Sequence, residues 1–126
     1  MKKRKVLVIE DDRAISGLLV HMLEGQDFEV QAAFDGLEGL SKTKEFQPEL
    51  IILDVNMPLM NGWQLLKTLK SSSKTYDIPI IMCTEHSLMK EVEDALSNGA
   101  AGYIMKPFTT ERVMSKIMDQ LGPDEQ

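Results

Sequence analysis

The sequence predicts a doubly wound α/β domain: a five-stranded parallel sheet in the order 2-1-3-4-5, with five helices covering its two faces. Three observations predict it. Short apolar runs begin about every 22 to 28 residues along the chain, and each is too short to be a helix. Amphipathic helical patterns fill the intervals, and strict alternation of strand and helix gives a parallel sheet because each right-handed crossover lays its helix back on the sheet. Four of the five runs also lack clean alternation, as strands buried on both faces do.

The elements follow in order. The first run is Val6 to Ile9, and after it Ile15, Leu18, Leu19, Met22 and Leu23 fall on one helical face, with Gly25 as the stop. In the second run, Phe28 to Ala33, the apolar residues Phe28, Val30 and Ala32 are spaced by two, the mark of an edge strand. The second helix carries Leu37, Leu40 and Lys44 to Phe46, opens at Asp35 as N-cap and closes before Pro48. The third run is Leu50 to Leu53, followed by a helix with Leu65, Leu66 and Leu69 that ends in Ser71 to Ser73. The fourth run, Ile78 to Cys83, precedes a helix with Leu88, Val92, Ala95 and Leu96, capped by Ser87 and stopped at Asn98-Gly99. Last come Ala100 to Met105 and a helix with Val113, Met114, Ile117, Met118 and Leu121, capped by Thr109 and ended by Gly122-Pro123.

Composition agrees with one domain that buries a real core. The chain has 126 residues, 43% of them apolar, and 14 basic against 20 acidic side chains for a net charge of −6. At that length roughly two-thirds of the unfolded surface can be buried without disulfides or metal. The single Cys83 cannot form an internal disulfide, so a reduced cytoplasm is the expected setting. Lys2 to Lys5 imitate the start of a signal peptide, but the apolar run behind them stops at Glu10, short of the roughly 7 to 15 residues required. No run approaches the roughly 20 apolar residues of a membrane span. The acidic balance argues against direct nucleic-acid binding, which needs clustered Lys and Arg.

In open parallel sheets, ligands sit beyond the carboxyl ends of the strands, near the point where the strand order reverses. That edge is where the chemistry falls: Glu10-Asp11-Asp12 after strand 1, Asp54 ending strand 3, Thr84 after strand 4 and Lys106 after strand 5. Carboxylates from adjacent strands repel, and at 4 Å in an effective dielectric of 20 the cost is about 4 kcal/mol. A cation is expected among them. Oxygen ligands without His or Cys select a hard ion, and few protein ligands suit Mg²⁺ better than Ca²⁺. Such an ion, an ammonium and a hydroxyl around a carboxylate suit phosphoryl transfer, with the Asp as nucleophile forming an acyl phosphate. Asp54, standing alone at its strand end, is the better nucleophile, which leaves the acidic run to hold the metal. Singly, each residue has a plainer reading: Asp11 or Asp12 as a complement to a helix dipole, Thr84 as a strand residue, Lys106 as a solvated side chain.

The stretches Val6 to Asp12, Asp54-Val55-Asn56-Met57-Pro58-Leu59-Met60-Asn61-Gly62, Thr84, and Gly102-Tyr103-Ile104-Met105-Lys106-Pro107-Phe108 together resemble the receiver domain of two-component response regulators. The resemblance covers residues 4 to 121. It implies a flavodoxin-like receiver fold, with a receiver domain over 1–122 and a tail or linker start at 123–126. It further implies a bacterial cytoplasmic signalling protein, not an enzyme acting on an external substrate. Asp54 would take a phosphoryl group from a sensor histidine kinase, a phosphotransfer protein or a small acyl phosphate. The metal, Mg²⁺, would be held by Asp54, directly by Asp11, through water by Glu10, and by the backbone carbonyl of Asn56. Asp12 need not be a ligand. Lys106 would bind a phosphoryl oxygen, with a cis peptide bond before Pro107.

Thr84 and Tyr103 match the family's switch pair, in which the hydroxyl moves toward the phosphoryl group and the ring turns inward from an exposed rotamer. The output face would be helix 4, strand 5 and helix 5, with Met89, Lys90, Glu91, Asp94, Tyr103, Arg112 and Lys116. It would act on a downstream protein or on an output domain of the same protein, with a phosphorylation-linked dimer as a further expectation. Most of the methionines read as core. Two positions depart from the commonest pattern. Glu85 is long and acidic where the family usually has a small residue, and it is expected to slow anionic phosphodonors. His86, two positions after Thr84, either tunes loss of the phosphoryl group or is a solvated loop residue. Cys83 reads as a small core residue and Trp63 as packing near the site, with a fluorescence that could report Mg²⁺. The alternatives are a receiver-like scaffold that is never phosphorylated and an Asp-nucleophile phosphohydrolase. The latter would need an Asp-x-Asp run after strand 1, which Glu10-Asp11-Asp12 does not supply. A flavin module is disfavoured by the acidic loop, where a phosphate needs backbone donors.

Overall fold

The computed structural model describes residues 2–57, 60–85 and 89–123, the side chains of 89–91 excepted. The chain runs β1 (Lys5–Ile9), α1 (Arg13–Glu24), β2 (Glu29–Ala33), α2 (Gly36–Phe46), β3 (Leu50–Asp54), α3 (Gly62–Lys70), β4 (Ile80–Thr84), α4 (Met89–Ser97), β5 (Gly102–Met105) and α5 (Thr110–Leu121). The strands form one parallel sheet in the order β2-β1-β3-β4-β5, as the alternation predicts. Ile9 pairs with Leu53, Leu53 with Met82, and Thr84 with Met105, so the carboxyl ends of the central strands lie level. No described helix is long and apolar enough to cross a membrane.

Side chains alternate between the two faces of the sheet, and each face has its own core. Leu7, Ile9, Ile51, Leu53, Ile80 and Met82 pack with Leu65, Leu66 and Leu69 of α3, Phe46 of α2 and Ala95 of α4. Val6, Val8, Leu50, Ile52, Ile81 and Cys83 face Leu19 and Leu23 of α1 and Val113 and Ile117 of α5. Residues on both sides of the central strands are buried, which is why those runs show no alternation. β5 takes the edge position that the predicted strand order gives it, and only its burial differs from the reading of its apolar run. Its continuous apolar run suggested burial on both faces, but as the second edge strand it leaves Met105 42% exposed.

Several boundaries differ by a residue or two for identifiable reasons. β2 starts at Glu29, because Phe28 is a buried packing residue against the α1 face. β4 starts at Ile80 and runs on through Thr84; ahead of it, Pro79 lacks an N–H and contributes only its carbonyl, which accepts from the Ile51 N–H. β5 starts at Gly102, two residues later than its apolar run. After α1 the left-handed residue is Asp27, φ 72°, whereas Gly25 keeps right-handed angles. The caps Asp35 and Thr109 accept from Glu38 N–H and Arg112 N–H as expected. α3 opens on a capping box between Asn61 and Gln64, which the apolar pattern did not reveal. Ser87 and Leu88, expected at the start of α4, lie outside the described residues, as do Pro58, Leu59 and His86.

Candidate functional site

Four strand ends build the site. Glu10 follows β1 and is buried, 2% exposed, its backbone N–H held by the Ala33 carbonyl at 3.0 Å. Asp11 is exposed at the rim. Asp12 turns away to cap α1, accepting from the N–H groups of Ala14 and Ile15 at 2.9 and 3.1 Å. The helix-dipole role open to Asp11 or Asp12 therefore belongs to Asp12. Asp54 closes β3 and is buried, as is Thr84 at the end of β4. Lys106 follows β5, tied to β4 by its N–H to the Thr84 carbonyl at 2.7 Å, and its bond to Pro107 is cis.

The floor beneath Asp54 depends on Gly62. A Cβ there would lie 2.3 Å from the Asp54 carbonyl oxygen, while the Gly62 N–H reaches the Val55 carbonyl at 2.9 Å. Only glycine lets α3 begin this close to the strand end. Its place in the motif marked the residue, but nothing local in the sequence reveals this contact.

Carboxylate oxygens of Glu10, Asp11 and Asp54 lie within 4.8 Å of one another. The Lys106 ammonium enters this group, 2.7 Å from Glu10 Oε1 and 3.4 Å from Asp54 Oδ1. The family resemblance assigns Lys106 to a phosphoryl oxygen, and its shorter contact to Glu10 is a feature only the structure reveals. Glu10 Oε2 accepts from the Asp12 N–H at 3.2 Å, and Asp54 Oδ1 accepts from the Asn56 N–H at 3.3 Å. Glu10 Oε1 is buried and touches the ammonium without the alignment of a hydrogen bond, so it retains acceptor capacity. Three carboxylates against one ammonium leave an excess of negative charge, and all the donors are oxygen. These residues fit a hard divalent cation such as Mg²⁺.

The electrostatics carry the same imbalance. Burial, reinforced by the hydrogen bond and charge of Glu10, pushes the Asp54 carboxyl up to about 7, against the pull of Lys106 and the Asn56 N–H. Burial acts to lower the Lys106 ammonium, but the close Glu10 carboxylate and the charge of Asp54 outweigh it and the net shift is upward. Burial pushes the Cys83 thiol up to about 12, an inert core thiol as the sequence reading held.

Around this centre, a cavity of about 200 Å³ is lined by the acidic residues, Asn56, Ile15, Glu85 and Lys106. A larger groove of about 470 Å³ adjoins it, with Leu18, Pro107 and Phe108 and the shared Ile15, Glu85 and Lys106. Tyr103 is half-buried on β5 against the core, where an exposed ring was expected. Trp63 packs against the same core. Of the expected output face, Asp94 and Arg112 are exposed and Lys116 is half-buried, while the side chains of Met89, Lys90 and Glu91 lie outside the described residues.

The same chain matches known proteins along most of its length. It is 34% identical over 113 residues to the DNA-binding dual master transcriptional regulator RpaA of Synechocystis, covering 90% of this chain and 47% of that protein. It is 36% identical over 117 residues to the phosphate regulon transcriptional regulatory protein PhoB of Rhizobium meliloti, covering 93% and 52%. The chain thus spans about half the length of the curated relatives it matches. Among solved structures, the chemotaxis protein CheY4 of Vibrio cholerae superposes with a TM-score of 0.90 at 32% identity, covering 95% of this chain and 100% of that one. The family profile described as response regulator receiver domain matches residues 6–118, and with the parallel sheet and its acidic strand ends already in place, the chain belongs to that family.

Proposed function

We propose that this domain is a phosphorylation-controlled switch in which Asp54 accepts a phosphoryl group, in a Mg²⁺-dependent reaction, from a sensor histidine kinase or phosphotransfer protein. The observation that carries the reading is the convergence of Glu10, Asp11 and Asp54 within 4.8 Å, with the Lys106 ammonium 3.4 Å from Asp54 Oδ1. In the transfer, an Asp54 carboxylate oxygen bonds to phosphorus while the bond from phosphorus to the donor's imidazole nitrogen breaks. Lys106 neutralises a phosphoryl oxygen by a charge-assisted bond. Asp11, Asp54 and the Asn56 carbonyl, with Glu10 through water, would hold the ion, which when bound would supply further charge neutralisation at the transferring oxygens. The donor approaches over the groove beside Ile15, Leu18 and Pro107, whose apolar rim shares Lys106 with the acidic cavity.

The new phosphoryl oxygens then draw the Thr84 hydroxyl, and Tyr103 shifts with it, which alters the surface of α4, β5 and α5. A ligand moves such an equilibrium only through its differential interaction with the two states. Going from 1:99 to 99:1 takes about 5.5 kcal/mol, within reach of a few charge-assisted bonds. That surface acts on a downstream protein, on an output domain of the same protein, or on a second phosphorylated copy. Incubation with Mg²⁺ and acetyl phosphate followed by intact-mass measurement is expected to reveal one added phosphoryl group. The adduct should vanish with EDTA or with Asp54→Asn; an adduct that survives Asp54→Asn rejects the assignment.

A further inference from the structure

We propose that Glu85 is a charge gate that selects against small dianionic phosphodonors and so reserves Asp54 for a phosphoryl group brought by a protein. The proposal rests on the reading of Asp54 as phospho-acceptor and deepens it by naming the donor class. Glu85 directly follows buried Thr84 at the end of β4 and is itself exposed. It is one of three residues, with Ile15 and Lys106, that line both the acidic cavity and the adjoining groove. A molecule moving from the groove toward Asp54 passes this shared wall. Of the wall's two charges, the Lys106 ammonium is engaged by Glu10 at 2.7 Å and Asp54 at 3.4 Å, whereas Glu85 has no ion pair among the described residues. Exposed on that wall, its carboxylate meets whatever approaches.

The consequence depends on the donor's charge. A free dianion at the mouth feels Glu85 through water, and one unit charge at that range changes its local concentration by a few fold, less as salt screens it. A protein donor covers the wall with its own surface and can set a basic side chain against Glu85. In the acetyl phosphate reaction, an Asp54 oxygen bonds to phosphorus as the bond from phosphorus to the acetate oxygen breaks, and acetate leaves with the electron pair. With phosphoramidate the phosphorus–nitrogen bond breaks and ammonia leaves after taking a proton. At neutral pH acetyl phosphate is a dianion and phosphoramidate carries one net negative charge, so the two probes differ in the quantity the gate would sense.

The experiment compares wild type, Glu85→Gln and Glu85→Ala at saturating Mg²⁺, with Asp54 labelling by each donor followed by intact mass at low and high salt. Both variants are expected to label with acetyl phosphate roughly threefold to tenfold faster than wild type at low salt. The gain should be smaller with phosphoramidate and should shrink toward unity at about 0.5 M salt. Equal rates in all three proteins overturn the proposal. So does a gain confined to Glu85→Ala and equal for both donors, which would mean that size and not charge controls the approach. Absence of any adduct in all three proteins overturns the phospho-acceptor reading itself, a result distinct from equal labelling.

Discussion

Asp54 holds a proton unusually tightly because it is buried, and because the buried Glu10 carboxyl stands beside it. Its pKa in the folded state, about 7, lies above the ordinary 3.8. The folded domain therefore binds an extra proton between those values, and the stability this carries is complete below about pH 4 and lost as pH rises through 7. Without divalent ions, the wild type is expected to lose stability across that window. Asp54→Asn has no such proton to lose and should be the more stable protein at pH 8, by on the order of 1–3 kcal/mol, with the gap closing toward pH 4. Urea melts of both proteins in EDTA at pH 4, 6 and 8 check this. A gap independent of pH would show that Asp54 does not titrate in this range. The apolar pattern could locate Asp54 at a strand end, but its raised pKa comes first from burial and then from Glu10, which lies forty-four positions earlier in the chain and is buried beside it.

At the scale of elements, neighbouring acidic residues take different work because α1 begins between them. Asp12 spends one carboxylate oxygen on two N–H groups of the first turn, and Asp11, one residue earlier, joins the carboxylate cluster. Asp12→Ala is expected to cost about 1 kcal/mol in a urea melt, the usual value of a lost N-cap, while changing Mg²⁺ affinity much less than Asp11→Ala does. Titration of Trp63 fluorescence with Mg²⁺ would measure both; a larger loss of affinity in Asp12→Ala would reassign the ligand. The second strand illustrates another element-level device. On the outer edge of β2, the Lys42 ammonium binds the Ala32 carbonyl at 2.5 Å and the Glu38 carboxylate takes the Phe34 N–H at 2.6 Å. Two backbone groups that would otherwise invite another strand are thus closed, with Lys42 and Glu38 themselves paired at 3.7 Å. The edge position was legible in the two-residue spacing of Phe28, Val30 and Ala32. Its protection was not, because it depends on α2 folding back over the strand.

For the whole molecule, the separation of a packed body from one anionic mouth predicts how ions act on stability. Four of the twenty acidic residues, Glu10, Asp11, Asp12 and Asp54, stand at two adjacent strand ends. A cation that binds there only in the folded state stabilises the fold by mass action, about 2.7 kcal/mol at a hundredfold excess over Kd. For a domain of this size, Mg²⁺ at that excess should raise Tm by on the order of 10 °C over EDTA. Potassium chloride at matched ionic strength should give much less. A thermal melt in each buffer decides it, and equal shifts would mean general screening rather than a bound ion.

The sequence by itself determined the fold and the address of the site. Spacings of two and of 3.6 depend on neighbours within one element, so they survive in a linear reading, and strict alternation of strand and helix leaves few topologies. It also marked Glu10, Asp11, Asp54, Thr84 and Lys106, because each lies at a strand end that the periodicity shows, while Asn56 and Tyr103 entered only through the family resemblance. Only the tertiary structure decided that Lys106 sits closer to Glu10 than to Asp54, that Gly62 must lack a side chain, and that Glu85 stands on the wall between cavity and groove. These depend on distances between segments far apart in the chain. Parallel register sets them, and a difference under one ångström at short range changes which charge pairs with which.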